Sequence, residues 1–215
     1  MDLSTQSLQE FTRLLASAAP TPGGGSSAAL EAALGTGLIR KVALISADKA
    51  AYAHRKDLMS RTAATAEALA RDFLRWVAED SAAYEAFLAA KHLPRYGEEA
   101  HSRYRQALDQ TLRECILIPY QILQAAVQAL RLGRDLAPDY YTGTASDLGL
   151  AALSLQTAAQ GAHLTILMNI RARNTLVLPQ WDGPEEPSGG RYQALLKDAE
   201  TLAQGIYAQV RKTLS

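Results

Sequence analysis

Apolar side chains recur along this chain at i, i+3, i+4 and i+7, and no stretch alternates with period two, so the pattern predicts helices and no strands. Leu8, Phe11, Leu14 and Leu15 share one face of a first helix over 3–18. A second, over 26–53, carries the stripe Leu30, Leu34, Leu38, Val42 and Ile45. The third runs from 54 to 91 with Leu58, Leu69, Phe73, Trp76, Val77, Tyr84 and Leu88 inward, and Pro94 and Gly97 break it. A fourth spans 98–132, with Pro119 expected to bend it. Residues 134–143 read as a loop, 145–173 as a fifth helix, 179–190 as a Pro/Gly-rich surface loop and 191–214 as the last helix. No linker and no internal repeat interrupts this order. The expectation is an all-α fold, a single domain over 1–215 built as an antiparallel bundle of about six long helices.

Composition narrows the functional classes. Lys+Arg and Asp+Glu balance at 22 each, so no overall field draws the chain to nucleic acid or an acidic membrane. Cys115 has no partner for an internal disulfide, which suits a reducing cytoplasm, and Met1-Asp2-Leu3-Ser4 does not read as a signal peptide. Residues 148–170 contain no Asp, Glu, Lys or Arg and are long enough to span a bilayer. Ser154, Gln156, Thr157, Gln160, His163, Thr165 and Asn169 punctuate them, however, and so many polar groups are costly in hydrocarbon. A central helix buried on several sides is the better reading.

The most informative junction is Pro20-Thr21-Pro22-Gly23-Gly24-Gly25-Ser26-Ser27, which opens into a helix with small residues at Ala28, Ala29, Ala32, Ala33, Thr36 and Gly37. The prolines delay the helix, the glycines permit angles closed to other residues, and Ser26 or Ser27 can cap the first turn. Such a junction is either a capped entry into a tightly packed helix or an anion site on exposed N–H groups.

Asp80 shares a face with Trp76, Val77 and Tyr84. Aromatic neighbours would raise its proton affinity by desolvation, as a general acid near neutrality requires; at the edge of the stripe it would instead be wet or paired with an arginine. Thr144 or Ser146 can cap the fifth helix, and Asp147 in its first turn suits the helix dipole. Asn169, if buried, needs a partner from a neighbouring helix or a ligand. Glu98-x-x-His101 has the spacing of carboxylate bundle sites but no second copy, so no metal site is expected and His101 reads as a solvated residue.

In order along the chain, Pro-Thr-Pro-Gly-Gly-Gly-Ser at 20–26, Asp80-Ser81-Ala82-Ala83-Tyr84, Leu93-Pro94-Arg95 with Glu98-Glu99, Pro119, Ser146-Asp147 and Asn169 resemble the formiminotetrahydrofolate cyclodeaminase and methenyltetrahydrofolate cyclohydrolase family. The resemblance implies an all-α enzyme acting on one-carbon tetrahydrofolate. Asp80 would manage a proton with Tyr84 positioning it, and Gly23, Gly24, Gly25, Ser26, Ser146, Asp147 and Asn169 would hold the folate. It implies a small-molecule folate substrate, no tightly bound cofactor, no metal and a homodimer, the last in keeping with the many small and apolar residues on long helices. The chain departs from the family pattern at Tyr141 and Thr165, where Asn is usual, at Ala172, where Asp often stands, and at Arg40-Lys41 in a normally apolar helix. Tyr141, Thr165 and Ala172 define the alternative, a non-catalytic helical binding protein on the same scaffold.

Overall fold

A computed structural model of the chain describes residues 3–179, 181 and 190–215. Among them, α1 (Leu8–Leu15), α2 (Gly24–Ala47), α3 (Lys56–Ala90), α4 (Glu98–Leu136), α5 (Ala145–Thr175) and α6 (Arg191–Leu214) carry the fold, with no strand. The helices α2, α3, α4 and α5 close a ring in which each packs on the next, and α6 lies against α4 and α5.

Pairwise contacts fix the directions. Ser26 meets Asp80 and Arg40 meets Glu67, so α2 and α3 run antiparallel. Gly35 packs on Leu155 and Gly161 on Ala28, so α2 and α5 do the same. The bonds from Asn169 to Cys115 and from Arg173 to Asp109 repeat the relation for α5 and α4.

Small side chains let α2 and α5 approach closely. A Cβ on Gly35 would lie 2.9 Å from Leu155 Cγ and 3.1 Å from the Ala151 carbonyl. Large residues fill the space between the other helices, with Phe73, Ile39, Met59, Ile122, Leu123, Leu130 and Leu148 fully buried. A second cluster of Phe87, Leu108, Leu112 and Cys115 closes the other end of α3 and α4. Ion pairs add little: Arg40–Glu67 and Lys41–Asp147 are exposed, and such pairs contribute about 0–1 kcal/mol. By length and composition α4 could cross a membrane, but over half of its apolar window is buried inside the bundle. The uncharged run at 148–170 is likewise a core helix, with Leu148, Ala151, Ala152, Leu155, Ala158, Ala159 and Ala162 buried.

Four sequence boundaries need correction. The first predicted helix divides into a 3₁₀ turn, Leu3–Thr5, and α1, because the Ser7 hydroxyl accepts the Glu10 N–H at 3.1 Å and restarts the helix. The second ends at Ala47, and Ala50–Arg55 forms a 3₁₀ turn instead. Propensity favours continuation there, but the Arg55 guanidinium donates to the carbonyls of Asp135 and Asp139 at the end of α4 and pins the corner. The fourth helix continues to Leu136 and the fifth to Thr175. Of the loop expected over 179–190, Trp181 is buried with the Arg113 and Arg173 guanidiniums 5.2 and 5.7 Å from its ring, while 180 and 182–189 lie outside the described residues.

Candidate active site

A cavity of about 580 Å³ opens where the start of α2, the C-terminal third of α3, the middle of α4 and the C-terminal half of α5 meet. Its lining includes Gly23, Gly24 and Gly25, Asp80 and Tyr84, Cys115, and Thr165, Met168 and Asn169. Of the residues singled out from the sequence, Gly23–Gly25, Asp80, Tyr84 and Asn169 come together here, and Ser26 sits directly beneath.

The first turn of α2 is where the geometry departs most from expectation. The helix starts at Gly24, and neither Ser26 nor Ser27 caps it; the Ser27 hydroxyl donates to the Gly23 carbonyl at 2.9 Å. None of the three glycines is left-handed, and Gly23 is extended at φ −128°. Instead the carboxylate of Asp80 reaches across from α3 to the orphan donors of α2. It accepts the Ser26 hydroxyl at 2.9 Å and the Ser26 backbone N–H. Since that hydroxyl has one proton, the Ser81 hydroxyl, 2.8 Å away, donates to Ser26 in turn.

Gly25 makes the contact possible. A Cβ there would lie 2.1 Å from Asp80 Oδ1, whereas one on Gly24 would meet nothing closer than Thr165 Oγ1 at 4.0 Å. Small size at Gly25, and not left-handed freedom, is the requirement.

Burial raises the Asp80 pKa above its ordinary 3.8, and it outweighs the two Ser26 hydrogen bonds, which act to lower it. Trp76, one turn before Asp80, packs its ring on Phe73 with the centroids 5.5 Å apart. Tyr84, one turn on, makes no hydrogen bond to Asp80 among the described residues; Ser26 does the positioning, and Tyr84 forms cavity wall with its ring 6.0 Å from Phe87.

Opposite, Asn169 owes its orientation to a proline. Pro119 has no N–H to give the carbonyl four residues earlier, so Cys115 O lacks its helical partner. The Asn169 side-chain amide supplies it at 2.6 Å, which leaves the Asn169 amide oxygen without a donor among the described residues, on the cavity lining. The Cys115 thiol is pushed up to about 12 by burial and by the charges of Asp80 and Glu114, so it stays protonated and non-nucleophilic at neutral pH. Cys115 and Thr165 were not among the site residues read from the sequence; a proline four residues after Cys115 was the signal for the first.

Ser146 and Asp147 lie elsewhere. They begin α5, about 20 Å up the helix from the cavity at 1.5 Å per residue, and Asp147 pairs with Lys41 Nζ at 2.9 Å. The helix start is not capped as expected, because the Thr144 hydroxyl donates to the Tyr141 carbonyl instead. Two of the departures, Tyr141 and Arg40-Lys41, are absent from the cavity lining, while Thr165 is on it. His101 is exposed beside Tyr104, and among the described residues no three His, Cys, Asp or Glu side chains are grouped to hold a metal ion.

The formiminotransferase-cyclodeaminase family matches residues 7–174. The chain is 29% identical over 197 residues to the rat formimidoyltransferase-cyclodeaminase, covering 92% of this chain and 35% of that protein. It thus spans about a third of the length of that relative. It is 24% identical over 210 residues to the methenyltetrahydrofolate cyclohydrolase of Methylorubrum extorquens, covering 98% of both. The crystal structure of a formiminotetrahydrofolate cyclodeaminase from Thermotoga maritima superposes with a TM-score of 0.78 at 22% identity, over 99% of this chain and 97% of that one. That likeness shows the helical fold.

Gly25→Ala is expected to lower the melting temperature, and Gly24→Ala is not. The added methyl at 25 forces the Asp80 carboxylate away from Ser26, a loss of about 1–3 kcal/mol, or ~2–4 °C for each kcal/mol in a domain of this size. Equal melting of the two variants would refute the close contact.

Proposed function

The chain belongs to the formiminotransferase-cyclodeaminase family, and on that premise we propose that it is a one-carbon tetrahydrofolate enzyme, a cyclodeaminase or a methenyltetrahydrofolate cyclohydrolase. The observation that carries this reading is a carboxyl group with raised proton affinity, held at a helix start on the wall of a cavity that also presents an amide acceptor.

In the cyclodeaminase reaction N10 attacks the formimino carbon, the bond to the amino nitrogen breaks, and ammonia departs as the methenyl bridge closes. The proton lost by N10 must reach the departing nitrogen. Asp80 is suited to carry it, accepting from one and donating to the other. In the cyclohydrolase reaction water attacks the methenyl carbon and loses one proton to the same carboxylate, which returns it to N5 as the bond to N5 breaks, while the second proton of the water leaves to solvent as the carbonyl of 10-formyltetrahydrofolate forms. Gly23, Gly24 and Gly25 form wall for the folate, Ser26 sets the Asp80 rotamer, Tyr84 shapes the cavity and Asn169 offers its amide oxygen to a ring N–H. The chemistry calls on no metal and no tightly bound cofactor. Of the departures behind the alternative, a non-catalytic scaffold, Tyr141 does not line this chain's own cavity and Thr165 does.

A homodimer fits the exposed apolar faces of α2 and α5. Leu34 and Leu44 on the first and Leu150, Leu153, Leu164 and Met168 on the second are left to solvent, and the α5 set follows one face from Asp147 to the cavity. A second copy covering at least ~800 Å² of it would carry its own Ser146 and Asp147 toward this cavity, the route by which those residues would meet folate. The reading also places the protein in the cytoplasm as a single helical domain, bound to neither nucleic acid nor membrane. Sedimentation at micromolar concentration should show twice the 23.2 kDa chain mass; a monomer would contradict the dimer.

Asp80→Asn is the test of the chemistry. Asn keeps the size and an acceptor for Ser26 but holds no exchangeable acid proton, so turnover with formimino- or methenyltetrahydrofolate should fall roughly 10²–10⁴-fold. The limb of the pH–rate profile set by Asp80 should vanish with it. Because the folded pKa lies above 3.8, the folded state binds this proton more tightly than the unfolded one. The group therefore favours folding most below that value and loses the advantage as pH rises through the shifted pKa. Removing the charge should leave the melting temperature at neutral pH level or higher. Full activity in the variant would refute the assignment.

A further inference from the structure

A second cavity of about 340 Å³ adjoins the first and shares Tyr84, Met168 and Asn169 with it. Its remaining wall differs in character. Phe87, Ala172 and Leu176 make it apolar, and Lys91 from the end of α3 and Arg171 from α5 are its two cations.

Neighbouring basic groups are already committed: Arg113 and Arg173 both bind Asp109, and Arg103 pairs with Glu99. Lys91 and Arg171 meet no carboxylate among the described residues. The Lys91 ammonium lies 5.7 Å from the Phe87 ring, over the same apolar wall. An apolar trough that leads out of a reaction cavity and carries two cations that meet no carboxylate among the described residues is complementary to a ligand arm with a flat apolar segment followed by two carboxylates.

The proposed substrate has such an arm, so this inference rests on the functional reading above. We propose that the second cavity is a recognition subsite for the aminobenzoyl-glutamate arm of the folate, with the aryl ring against Phe87, Met168 and Leu176 and the glutamate carboxylates on Lys91 and Arg171. Tyr84 and Asn169 then stand where the heterocycle hands over to the arm. Ala172, a departure from the family pattern, lies in this trough, where an aspartate would place a negative charge among groups that bind an anion. Its replacement by alanine strengthens the subsite in this chain.

Initial rates with the one-carbon tetrahydrofolate and with its tetrahydropteroate counterpart, which lacks the glutamate, test the subsite in wild type, Lys91→Gln, Arg171→Gln and the double variant. Each substitution should raise KM for the glutamate-bearing substrate roughly three- to tenfold, the range for a charge-assisted contact at an exposed site. It should leave kcat unchanged and leave both constants for the pteroate unchanged. A KM that moves equally for both substrates, or for neither, overturns the subsite while the functional reading stands. Should a variant fail to fold, the wild type decides alone: no preference for the glutamate-bearing substrate overturns the subsite. Neither turnover nor binding of either compound by the wild type overturns the functional reading and this inference together.

Discussion

The contact between the Asp80 carboxylate and the first turn of α2 organises this molecule's functional end. A helix start carries unpaired N–H donors, and they are normally met by a side chain of the same segment. Here the acceptor comes from another helix, which couples the register of α2 on α3 to the position of one carboxyl group. Three small residues make this possible. Gly25 leaves room for the carboxylate, Ser26 donates to it, and Ser81 supports Ser26 from the next position on α3. The outcome is a buried acid with donors on one side and a cavity on the other, so its proton is bound more tightly than an exposed carboxyl's.

The opposite wall follows the same logic of a defect used as a socket. A proline inside a long helix leaves one carbonyl without its partner, and Asn169 on α5 fills the vacancy. That bond fixes which end of the amide is free. Acid and acceptor are thus each held by a backbone irregularity on a neighbouring helix, and the rigid part of the bundle sets their separation. The close approach of α2 and α5, allowed by Gly35, Ala28 and Gly161, keeps the two walls in register.

Much of this was legible in the sequence. Period-3.6 patterning located all six helices, and the order of motifs led to the family and to Asp80. What was not legible was long-range. Ser26 and Ser27 looked like caps because local sequence offers no other acceptor, yet Asp80 lies 54 positions away. The second helix was drawn too long because Ala-rich sequence around Ala50 favours helix, while the Arg55 bonds to the end of α4 decide otherwise. The shared face of Asp80 and Tyr84 brings both to the cavity, whereas Trp76 packs its ring on Phe73. Ser146 and Asp147 follow the family order in sequence but sit at the far end of α5 in the single chain.

Burial at the α2 start, against two opposing hydrogen bonds, keeps the Asp80 proton bound above the ordinary carboxylate range. A pH titration of the Asp80 side-chain carboxyl ¹³C shift in the ligand-free protein reads this directly, with Asp80→Asn to assign the resonance. A midpoint clearly above 3.8 is expected; one at or below 3.8 would mean that the Ser26 hydrogen bonds win over desolvation.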